Sequence, residues 1–380
     1  MKFTLTEEQT MIQQTAREFA EQEIAPTAIE RDKNAEFPTE IVKKLGELGF
    51  MGMMVDPKYD GAGMDTISYA LAMMEISKVD ASVGVIMSVN NSLVTFGLER
   101  WASEAVKEKY LKPLARGDKL GAFALSEPEA GSDATQQHTM AHKEGDFWVL
   151  NGMKNWITNG TSADYYIVFA QTDKEKRHKG ITAFLVEKGT PGFTHGVKED
   201  KLGIRSSDTC SLSFDNCKVP EENILWEVGK GFNFAMNTLN GGRYGIASQA
   251  VGIAMGAYEK ALKYSKERKA FGTEIANHQA IQFKLADMAT KIEAAKLLTL
   301  QACGLKDEGK DYIKEASMAK LFASETAMEV TRDAVQILGG YGYVREYEVE
   351  RMYRDAKITE IYEGTSEIQR IVIGRAITRD

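Results

Sequence analysis

Three glutamates clustered near the end of the chain are the residues best suited to acid–base chemistry. They lie in EIYEGTSEIQ, residues 360–369, just before an apolar run with helical spacing. A glutamate removed from water can act as a general base near neutral pH, so Glu363 is a candidate catalytic carboxylate. The alternative is a solvated charge beside a helix start, because Ser366 and Gln369 have the spacing of a capping box. The stretch alone is compatible with both interpretations.

The common motifs of metal, nucleophile and nucleotide sites are missing from the sequence. His138 and His142 are four residues apart, but no glutamate follows the first and the segment has strand-like composition, so we predict no metal site. There is no GxSxG motif, no P-loop and no GxGxxG after a strand, since GAGMDT at 61–66 lacks the third glycine. A net charge of −8 argues against a nucleic-acid partner.

Length and cysteine content indicate a multidomain globular protein in a reducing compartment. A chain of 380 residues exceeds the size at which one hydrophobic core stops growing, so two or three domains are expected. The N-terminus lacks the pattern of a signal peptide, and no later stretch approaches the ~20 apolar residues of a membrane span. Cys210, Cys217 and Cys303 form no CxxC pair and are too few for a disulfide framework. We therefore expect a cytoplasmic location.

Three segments with different hydrophobic patterns follow one another along the chain. Residues 1–121 have helical spacing, and residues 122–227 consist of short β-rich runs separated by turn residues. Residues 228–380 return to helical spacing. The predicted fold class is α+β multidomain, with an N-terminal helical domain, a middle antiparallel β domain and a C-terminal helical bundle. Because strands and helices do not alternate, a doubly wound nucleotide-binding fold is disfavoured.

Two helices are predicted in more detail. Thr6 and Gln9 have the spacing of a capping box, so a helix is expected to begin there. Spacings of three and four residues predict one buried seam on a helix of the C-terminal bundle. The seam consists of Leu285, Met288, Ile292 and Ala295.

Several polar, glycine-punctuated stretches occur in order along the chain. They are LSEPEAGSD at 125–133, NWITNG at 155–160, KLGIRSSDT at 201–209, ERKAFG at 267–272, QILGGYGY at 336–343 and RDAKITEIYEGTSEIQR at 354–370. Taken together with SVNNSL and FKLADM, they resemble the acyl-CoA dehydrogenase family, most closely its short-chain, butyryl-CoA-type members. The resemblance extends from the first helix to the C-terminus, and an ordered set of motifs is far more specific than any one of them.

This resemblance implies a function as well as a fold. The family is FAD-dependent and oxidises acyl-CoA thioesters to trans-2-enoyl-CoA in fatty-acid β-oxidation, with electrons passing to electron-transfer flavoprotein. Its members are usually homotetramers. Alternatives within the same fold are branched-chain or dicarboxylic substrates, the reverse reaction as an enoyl-CoA reductase, and direct reduction of O₂. A non-catalytic binding or scaffold protein would lack the base or the flavin loop, and both are intact in this sequence.

The resemblance assigns the catalytic base to Glu363. This residue would remove the α-proton while its backbone N–H and a flavin ribityl hydroxyl hold the thioester oxygen, and the β-hydrogen would leave as hydride to flavin N5. Gly364 would let the thioester lie close to the main chain. Some family members carry the base at a position that corresponds here to Gly242, and glycine cannot act as a base. Glu360 and Glu367 are interpreted as solvated charges at helix ends.

The remaining site residues also follow from the family motifs. The loop 123–132 and the strand end at 156–158 would contact the flavin ring, while Arg268 would hold the FAD pyrophosphate, with contacts that cross a subunit interface. The predicted FAD contacts are Phe123, Leu125, Ser126, Gly131, Ser132, Trp156, Ile157, Thr158, Arg268, Phe271, Gln279, Gln336, Ile337, Leu338, Gly339, Gly340, Thr365, Ser366 and Glu367. The predicted acyl-CoA contacts are Ser132, Asn240, Arg243, Tyr362 and Gly364. Asn240 stands where the family commonly has aspartate, which leaves Arg243 as the stronger of that pair.

Overall fold

A β sheet lies between two helical regions in the computed structural model, which describes residues 4–378. The observed order of helices, sheet and helices confirms the predicted α+β fold class. The predicted domain boundaries at residues 121 and 227 stay predictions. The α-helices are α1 (Glu7–Phe19), α2 (Ala28–Asn34), α3 (Thr39–Glu47), α4 (Thr66–Val79), α5 (Ala81–Ser88), α6 (Phe96–Trp101), α7 (Glu104–Val106), α8 (Lys112–Ala115), α9 (Gly231–Glu267), α10 (Gln279–Asp307), α11 (Ile313–Leu338), α12 (Val349–Ala356) and α13 (Ser366–Thr378).

The two detailed helix predictions are confirmed. Thr6 caps α1, since its side chain accepts a hydrogen bond from the backbone of Gln9 and the Gln9 side chain bonds back to the backbone of Thr6. All four predicted seam residues of α10 are buried. Local patterns of capping and periodicity therefore carried over directly into the fold.

One continuous helical stretch of the N-terminal region is more apolar than the sequence analysis allowed. Ala81–Trp101 joins α5 and α6 through a π-helical segment, Val89–Thr95, and its 21 residues contain a window of mean hydropathy 1.4. By length and composition it could cross a membrane, so the expectation that no stretch approaches this size is wrong. In the structure 94% of that window is buried inside the protein. It is the only such helix among residues 4–378.

The sheet is mixed rather than purely antiparallel. Its strands are β1 (Gly121–Ala124), β2 (Met140–Glu144), β3 (Phe147–Thr158), β4 (Tyr165–Gln171), β5 (Ile181–Glu187), β6 (Phe193–His195), β7 (Thr209–Pro220) and β8 (Ile224–Leu225), and a separate hairpin contains β9 (Lys269–Ala270) and β10 (Thr273–Glu274). The strand order is β6-β7-β3-β2-β4-β5-β8, with β1 paired to β4. Most pairings are antiparallel, but β1 and β2 each pair in parallel with β4, which the strand-like composition could not indicate.

An irregularity in β3 turns a large aromatic side chain away from the core. The pairing of β3 with β7 shifts register between Lys154 and Ile157. Within this bulge Trp156 has φ 61° and its side chain is 61% exposed. Bulges commonly re-aim side chains beside functional sites, because two residues oppose one on the partner strand.

Helix α9 is the central element of the C-terminal region and packs against α4, α5, α10, α11 and α12. Glycines on α9 allow this close approach. A β-carbon built on Gly252 would collide with the carbonyl oxygen of Met74, and one on Gly256 would collide with that of Lys78. Helix α4 therefore lies directly against the backbone of α9, which joins the N-terminal region to the C-terminal region.

Buried ionic contacts join all three regions immediately before the candidate catalytic segment. Arg354 of α12 binds Asp32 with an Nη2–Oδ2 distance of 2.7 Å and donates to the carbonyl of Leu202 at 3.0 Å. The neighbouring Asp355 accepts the backbone N–H of Ile204 at 2.5 Å. These contacts anchor the start of the segment that leads to Glu363.

Candidate active site

Glu363 lies in a short turn between α12 and α13 that has an unusual backbone conformation. Its φ is 54°, and φ of the following Gly364 is 93°. Glycine adopts this left-handed region freely, whereas a residue with a β-carbon adopts it at an energetic cost. Strained backbone of this kind occurs often at functional sites and persists only where the surroundings hold it.

The Glu363 carboxyl group is poorly solvated. The residue is half-buried, but its Oε2 atom is fully buried and has no hydrogen-bond partner among the described residues. Desolvation raises the pKa of Glu363 to about 7, while the nearby cations Lys320 and Arg243 oppose this rise. A carboxyl group with such a pKa is poised to accept a proton at physiological pH.

The carboxylate of Glu363 points at the backbone of α9. A β-carbon built on Gly242 would overlap Oε2 of Glu363 and would lie 2.8 Å from its carboxyl carbon. The same built atom would lie 3.2 Å from Cδ2 of Leu93, which belongs to the π-helical segment between α5 and α6. The glycine at position 242 therefore leaves the space that the Glu363 carboxylate occupies.

The predicted capping box at the start of α13 is wrong. The side chain of Thr365, not Ser366, accepts a backbone hydrogen bond, from Ile368 at 3.3 Å. Ser366 begins the helix, and its buried Oγ has no partner among residues 4–378. Gln369 instead donates to the carbonyl of Gly364 at 2.9 Å, so its amide braces the turn that carries Glu363.

The other two glutamates of the stretch lie where the solvated interpretation placed them. Glu360 is half-buried and pairs with Lys357 at 2.5 Å on the same helical turn. Glu367 is exposed in the first turn of α13, and hydrogen bonds from its own backbone and from Thr365 lower its pKa. Neither carboxyl group shares the desolvated surroundings of Glu363.

Two predicted acyl-CoA contacts are engaged inside the protein. Arg243 is only 8% exposed and donates from Nη1 to Oγ of Ser317 at 3.2 Å. The Tyr362 hydroxyl donates a hydrogen bond to the side chain of Gln249. Asn240 is half-buried nearly one turn before Arg243 on α9. Arg243 is therefore a buried charge close to Glu363, and its Nε has no hydrogen-bond partner among the described residues. The acyl-CoA contact of Arg243 stays a prediction.

A buried lysine of β3 forms hydrogen bonds with the predicted flavin loop, residues 123–132. Nζ of Lys154, which is 0% exposed, donates to Oε1 of Glu127 at 2.7 Å and to the carbonyl of Leu125 at 3.2 Å. Glu127 also accepts backbone N–H groups of residues 138 and 139. Burial lowers the pKa of Lys154 to about 8, and Glu127 opposes that shift. The loop and the end of β3 are further joined by a 2.9 Å hydrogen bond from the Asn155 N–H to the Ser126 carbonyl.

The residues assigned to the flavin ring lie together at this end of the sheet. Phe123, Leu125 and Ile157 are buried, whereas Ser132 and Trp156 face outward. The neighbouring Ser126 and Thr158 are half-buried, and a β-carbon built on Gly131 would meet no atom within 4 Å. An exposed indole beside an open main-chain loop fits a large planar ring such as isoalloxazine.

The residues assigned to the far end of FAD form a second group in the C-terminal region. The Arg268 guanidinium lies 5.8 Å from the ring of Tyr341, next to the loop that contains Gly339 and Gly340. Phe271 is 98% exposed and packs edge-on against His278, one residue before α10 begins. Arg268, Gln279, Gln336, Gly339 and Gly340 are exposed, Ile337 and Leu338 are buried, and Thr365 is half-buried. Within residues 4–378 no hydrogen bond joins this group to the flavin loop.

Three residues at the site were missed by the sequence analysis. Lys320, Lys154 and Gln369 all hold main-chain groups of the candidate site, and all are buried. Lysine and glutamine within helical or strand patterns usually face solvent, so their types do not reveal burial. The only local signal is that Lys320 lies among small or apolar neighbours, in ASMAKLFAS.

No group of three or more histidine, cysteine, aspartate or glutamate side chains in the described part of the chain is arranged to hold a metal ion. The three cysteines are buried and free.

Comparison with known proteins adds independent observations. Models of the N-terminal, middle and C-terminal domains of acyl-CoA dehydrogenases match residues 6–118, 122–217 and 229–378. The chain is 54% identical over 375 residues to the mitochondrial short-chain specific acyl-CoA dehydrogenase of Rattus norvegicus, covering 99% of this chain and 91% of that protein. It superimposes on butyryl-CoA dehydrogenase from Megasphaera elsdenii with a TM-score of 0.98 and 51% identity, covering both chains fully. It also matches a chain from a structure of the electron transferring flavoprotein of Acidaminococcus fermentans, with a TM-score of 0.99, 53% identity and full coverage of both chains.

Proposed function

The chain belongs to the acyl-CoA dehydrogenase family, whose members use FAD, and we propose that it oxidises short, straight acyl-CoA thioesters to trans-2-enoyl-CoA with Glu363 as the base. A substrate of about butyryl length is supported by the 51–54% identity to short-chain and butyryl-CoA dehydrogenases along nearly the whole chain.

The observation that carries the assignment of the base is the state of the Glu363 carboxyl group. It is the one glutamate of the stretch with a desolvated oxygen that has no partner within residues 4–378, and burial raises its pKa to about 7. The α-proton of a thioester is weakly acidic, so its removal needs a base of this kind held close to it. Glu360 and Glu367 lack this property.

The main chain of the same residue is available to stabilise the negative charge that develops on the thioester oxygen. Among residues 4–378 no group accepts a hydrogen bond from the backbone N–H of Glu363. In other enzymes one such donor contributes about 3–4 kcal/mol to the transition state. Gly364 has no side chain that would keep a thioester away from this N–H.

The residues around the predicted flavin site suit the cofactor of the family. The flavin ring would be held by Trp156 and by the loop 123–132, which includes Ser126. The exposed guanidinium of Arg268 would bind the pyrophosphate. FAD, when bound, supplies the acceptor for the two electrons that leave with the β-hydrogen. Lys154 and Glu127 stabilise the conformation of the loop. Glu363 would accept the proton taken from the α-carbon.

Substitution of the base tests this proposal directly. Glu363→Gln preserves size and should lower the rate of anaerobic flavin reduction by acyl-CoA by at least ~10²–10⁴-fold, the range attributed to general bases. FAD content and acyl-CoA binding should remain. The matched control is Glu360→Gln in the same stretch, a variant whose flavin should be reduced at the normal rate. Normal bleaching by the Glu363→Gln protein would place the base elsewhere.

The chain-length preference requires its own measurement. Purified protein would be titrated anaerobically with acyl-CoAs of four to twelve carbons, and flavin bleaching would be read at each length. We expect the most complete and fastest reduction at the short end. Best reduction at twelve carbons would contradict the short-chain assignment while leaving the family reaction intact.

Electron-transfer flavoprotein is the proposed electron acceptor, supported by the match to a chain from a structure of such a protein. Reduced enzyme should transfer electrons to purified electron-transfer flavoprotein much faster than to O₂. Rapid reoxidation by air alone would indicate an oxidase instead.

We further propose a homotetramer in which FAD contacts cross a subunit interface. Phe271 is 98% exposed, Tyr343 is 85% exposed and Phe283 is 63% exposed, although aromatic side chains are normally covered. Light scattering of the holoenzyme should give four chains, and Phe271→Ser should lower FAD retention. A fully FAD-loaded monomer would rule out the cross-subunit assignment.

A further inference from the structure

A buried lysine on α11 touches the turn that carries the base. The side chain of Lys320 is 0% exposed, and its Nζ donates a 2.6 Å hydrogen bond to the carbonyl oxygen of Gly364. Gln369 donates to the same oxygen at 2.9 Å and to the carbonyl of Glu363 at 3.4 Å. The two donors thus meet the turn from α11 and from α13.

The turn depends on these donors because its conformation is not one that the local sequence prefers. Glu363 has a positive φ despite its β-carbon, and the peptide between Gly364 and Thr365 is fixed through the Gly364 carbonyl. If that carbonyl were released, the turn could relax and the carboxylate would leave its place over Gly242. Lys320 is the shorter and the charged of the two contacts, and charge-assisted hydrogen bonds are the stronger kind.

Helix α11 presents a second group to the same place. Ser317, one turn before Lys320, accepts the hydrogen bond from Arg243 of α9. The two cations therefore approach Glu363 from α11 and α9, and both are attached to groups other than its carboxylate. Their positions leave the Glu363 carboxylate free to receive a proton.

We propose that Lys320 is a positioning residue for the reaction: its ammonium group holds the Glu363–Gly364 turn through the Gly364 carbonyl and places a positive charge beside the base. This inference rests on the proposed role of Glu363. It explains why a cation is buried at a point where an apolar side chain could fill the same space.

The electrostatic part of the role has a definite sign. The positive charge of Lys320 is the largest influence that opposes the burial-driven rise in the pKa of Glu363. Its removal should raise that pKa further, so a neutral substitute should leave the base protonated at neutral pH. The titratable groups that face Glu363 or Lys320 from neighbouring elements are Arg243, Tyr69, Tyr362, Glu360 and Glu367.

The experiment compares Lys320→Met, Lys320→Gln and Lys320→Arg with the wild-type holoenzyme. The limiting rate of anaerobic flavin reduction by butyryl-CoA would be measured by stopped flow from pH 6 to 9, alongside FAD content and Tm. Lys320→Met should be slower at pH 7 by about 10- to 100-fold, as expected for loss of a hydrogen bond from a charged group. The acid limb of its pH profile should move to higher pH. Lys314→Met, an exposed lysine on the same helix, is the matched control and should behave as wild type.

The other two variants separate charge from hydrogen bonding. Lys320→Gln keeps a donor without charge, so it should recover part of the rate but retain the displaced acid limb. Lys320→Arg keeps the charge and should leave the acid limb in place. If the neutral variants fail to fold, a displaced acid limb in Lys320→Arg would overturn the proposal, and an unmoved one would support it.

Two results separate this inference from the proposed function. An inactive Glu363→Gln together with a normal rate and acid limb in folded Lys320→Met would overturn the role of Lys320 alone. A slower Lys320→Met with an unmoved acid limb would reduce Lys320 to a structural residue and would also overturn the inference. A normal rate of flavin reduction in the Glu363→Gln variant would show that Glu363 is not the base and would overturn both proposals.

Discussion

The carboxylate of Glu363 occupies the space in which a β-carbon at position 242 would lie, although 121 residues separate the two positions in the chain. A side chain at position 242 would occupy the place of the Glu363 oxygen, so the two positions are alternatives for a group at this point of the site. This contact joins the turn before α13 to α9, and it leaves room for the Glu363 carboxylate only while position 242 has no side chain.

Gly242→Ala should damage catalysis without unfolding the protein. The added methyl group overlaps Oε2 of Glu363 and would displace the carboxylate by about 1 Å, an error that can cost ~10²-fold in rate. The measurement is the limiting rate of flavin reduction. Gly241→Ala is the matched control, because its β-carbon would have only ordinary contacts, the nearest at 3.4 Å to the Tyr244 hydroxyl. Equal rates of flavin reduction in the two variants would contradict the overlap between a β-carbon at position 242 and the Glu363 carboxylate.

The rate of flavin reduction should depend on the ionisation of Glu363. Because burial raises the pKa of this carboxyl group to about 7, the limiting rate should rise with pH through about 7 and level off above it. The profile would be recorded by stopped flow with saturating butyryl-CoA. A rate that is flat from pH 6 to 9 would contradict the raised pKa.

Burial of the Glu363 charge should also cost stability, with a defined pH dependence. The folded pKa lies above the ordinary value of 4.5, so the cost grows as pH rises from about 4.5 to 7 and is constant above that range. Glu363→Gln removes it and should be more thermostable than wild type at pH 8, with the difference in Tm shrinking towards pH 5. A Glu363→Gln protein less stable than wild type at pH 8 would argue against an unfavourable buried charge.

Lys154→Met should release the flavin loop. It removes the donor to the Leu125 carbonyl and leaves the Glu127 carboxylate buried without its cation, which in other proteins costs about 3 kcal/mol or more. We expect a lower Tm and loss of FAD during gel filtration. Lys143→Met on β2 removes only an exposed pair with Glu221, so it should retain FAD; comparable FAD loss in both would show that the effect is not local.

Asp355→Ala should weaken the junction of the three regions. Its carboxylate accepts the Ile204 N–H and lies close to the positive charge of Arg351, whose buried Nε and Nη1 have no hydrogen-bond partner among the described residues. Removing one partner of such a buried set is expected to lower the free energy of unfolding by about 3 kcal/mol. Thermal unfolding would measure the loss, with Glu360→Gln, which breaks a pair near the surface, as a control expected to change it by less than ~1 kcal/mol. Equal losses of unfolding free energy in the two variants would show that the Asp355 contacts contribute little to stability.

The sequence by itself determined the features that depend on neighbours along the chain or on ordered motifs. The capping box of Thr6 and Gln9 and the buried seam of α10 follow from local spacing, and both are present. The order of the motifs identified the family and nominated Glu363. Periodicity also separated the helical regions from the sheet, since a change in spacing is visible in any short window.

The tertiary structure decided the features that depend on distant residues. It brought Gly242 beneath Glu363, buried Lys320 against the Gly364 carbonyl and paired β1 in parallel with β4. It also made Thr365, not Ser366, the residue whose side chain accepts the Ile368 N–H, and it engaged the Gln369 side chain with the Gly364 carbonyl. A residue type records what a side chain can do, but burial, partners and pKa are set by what packs around it, and those neighbours come from remote parts of the chain.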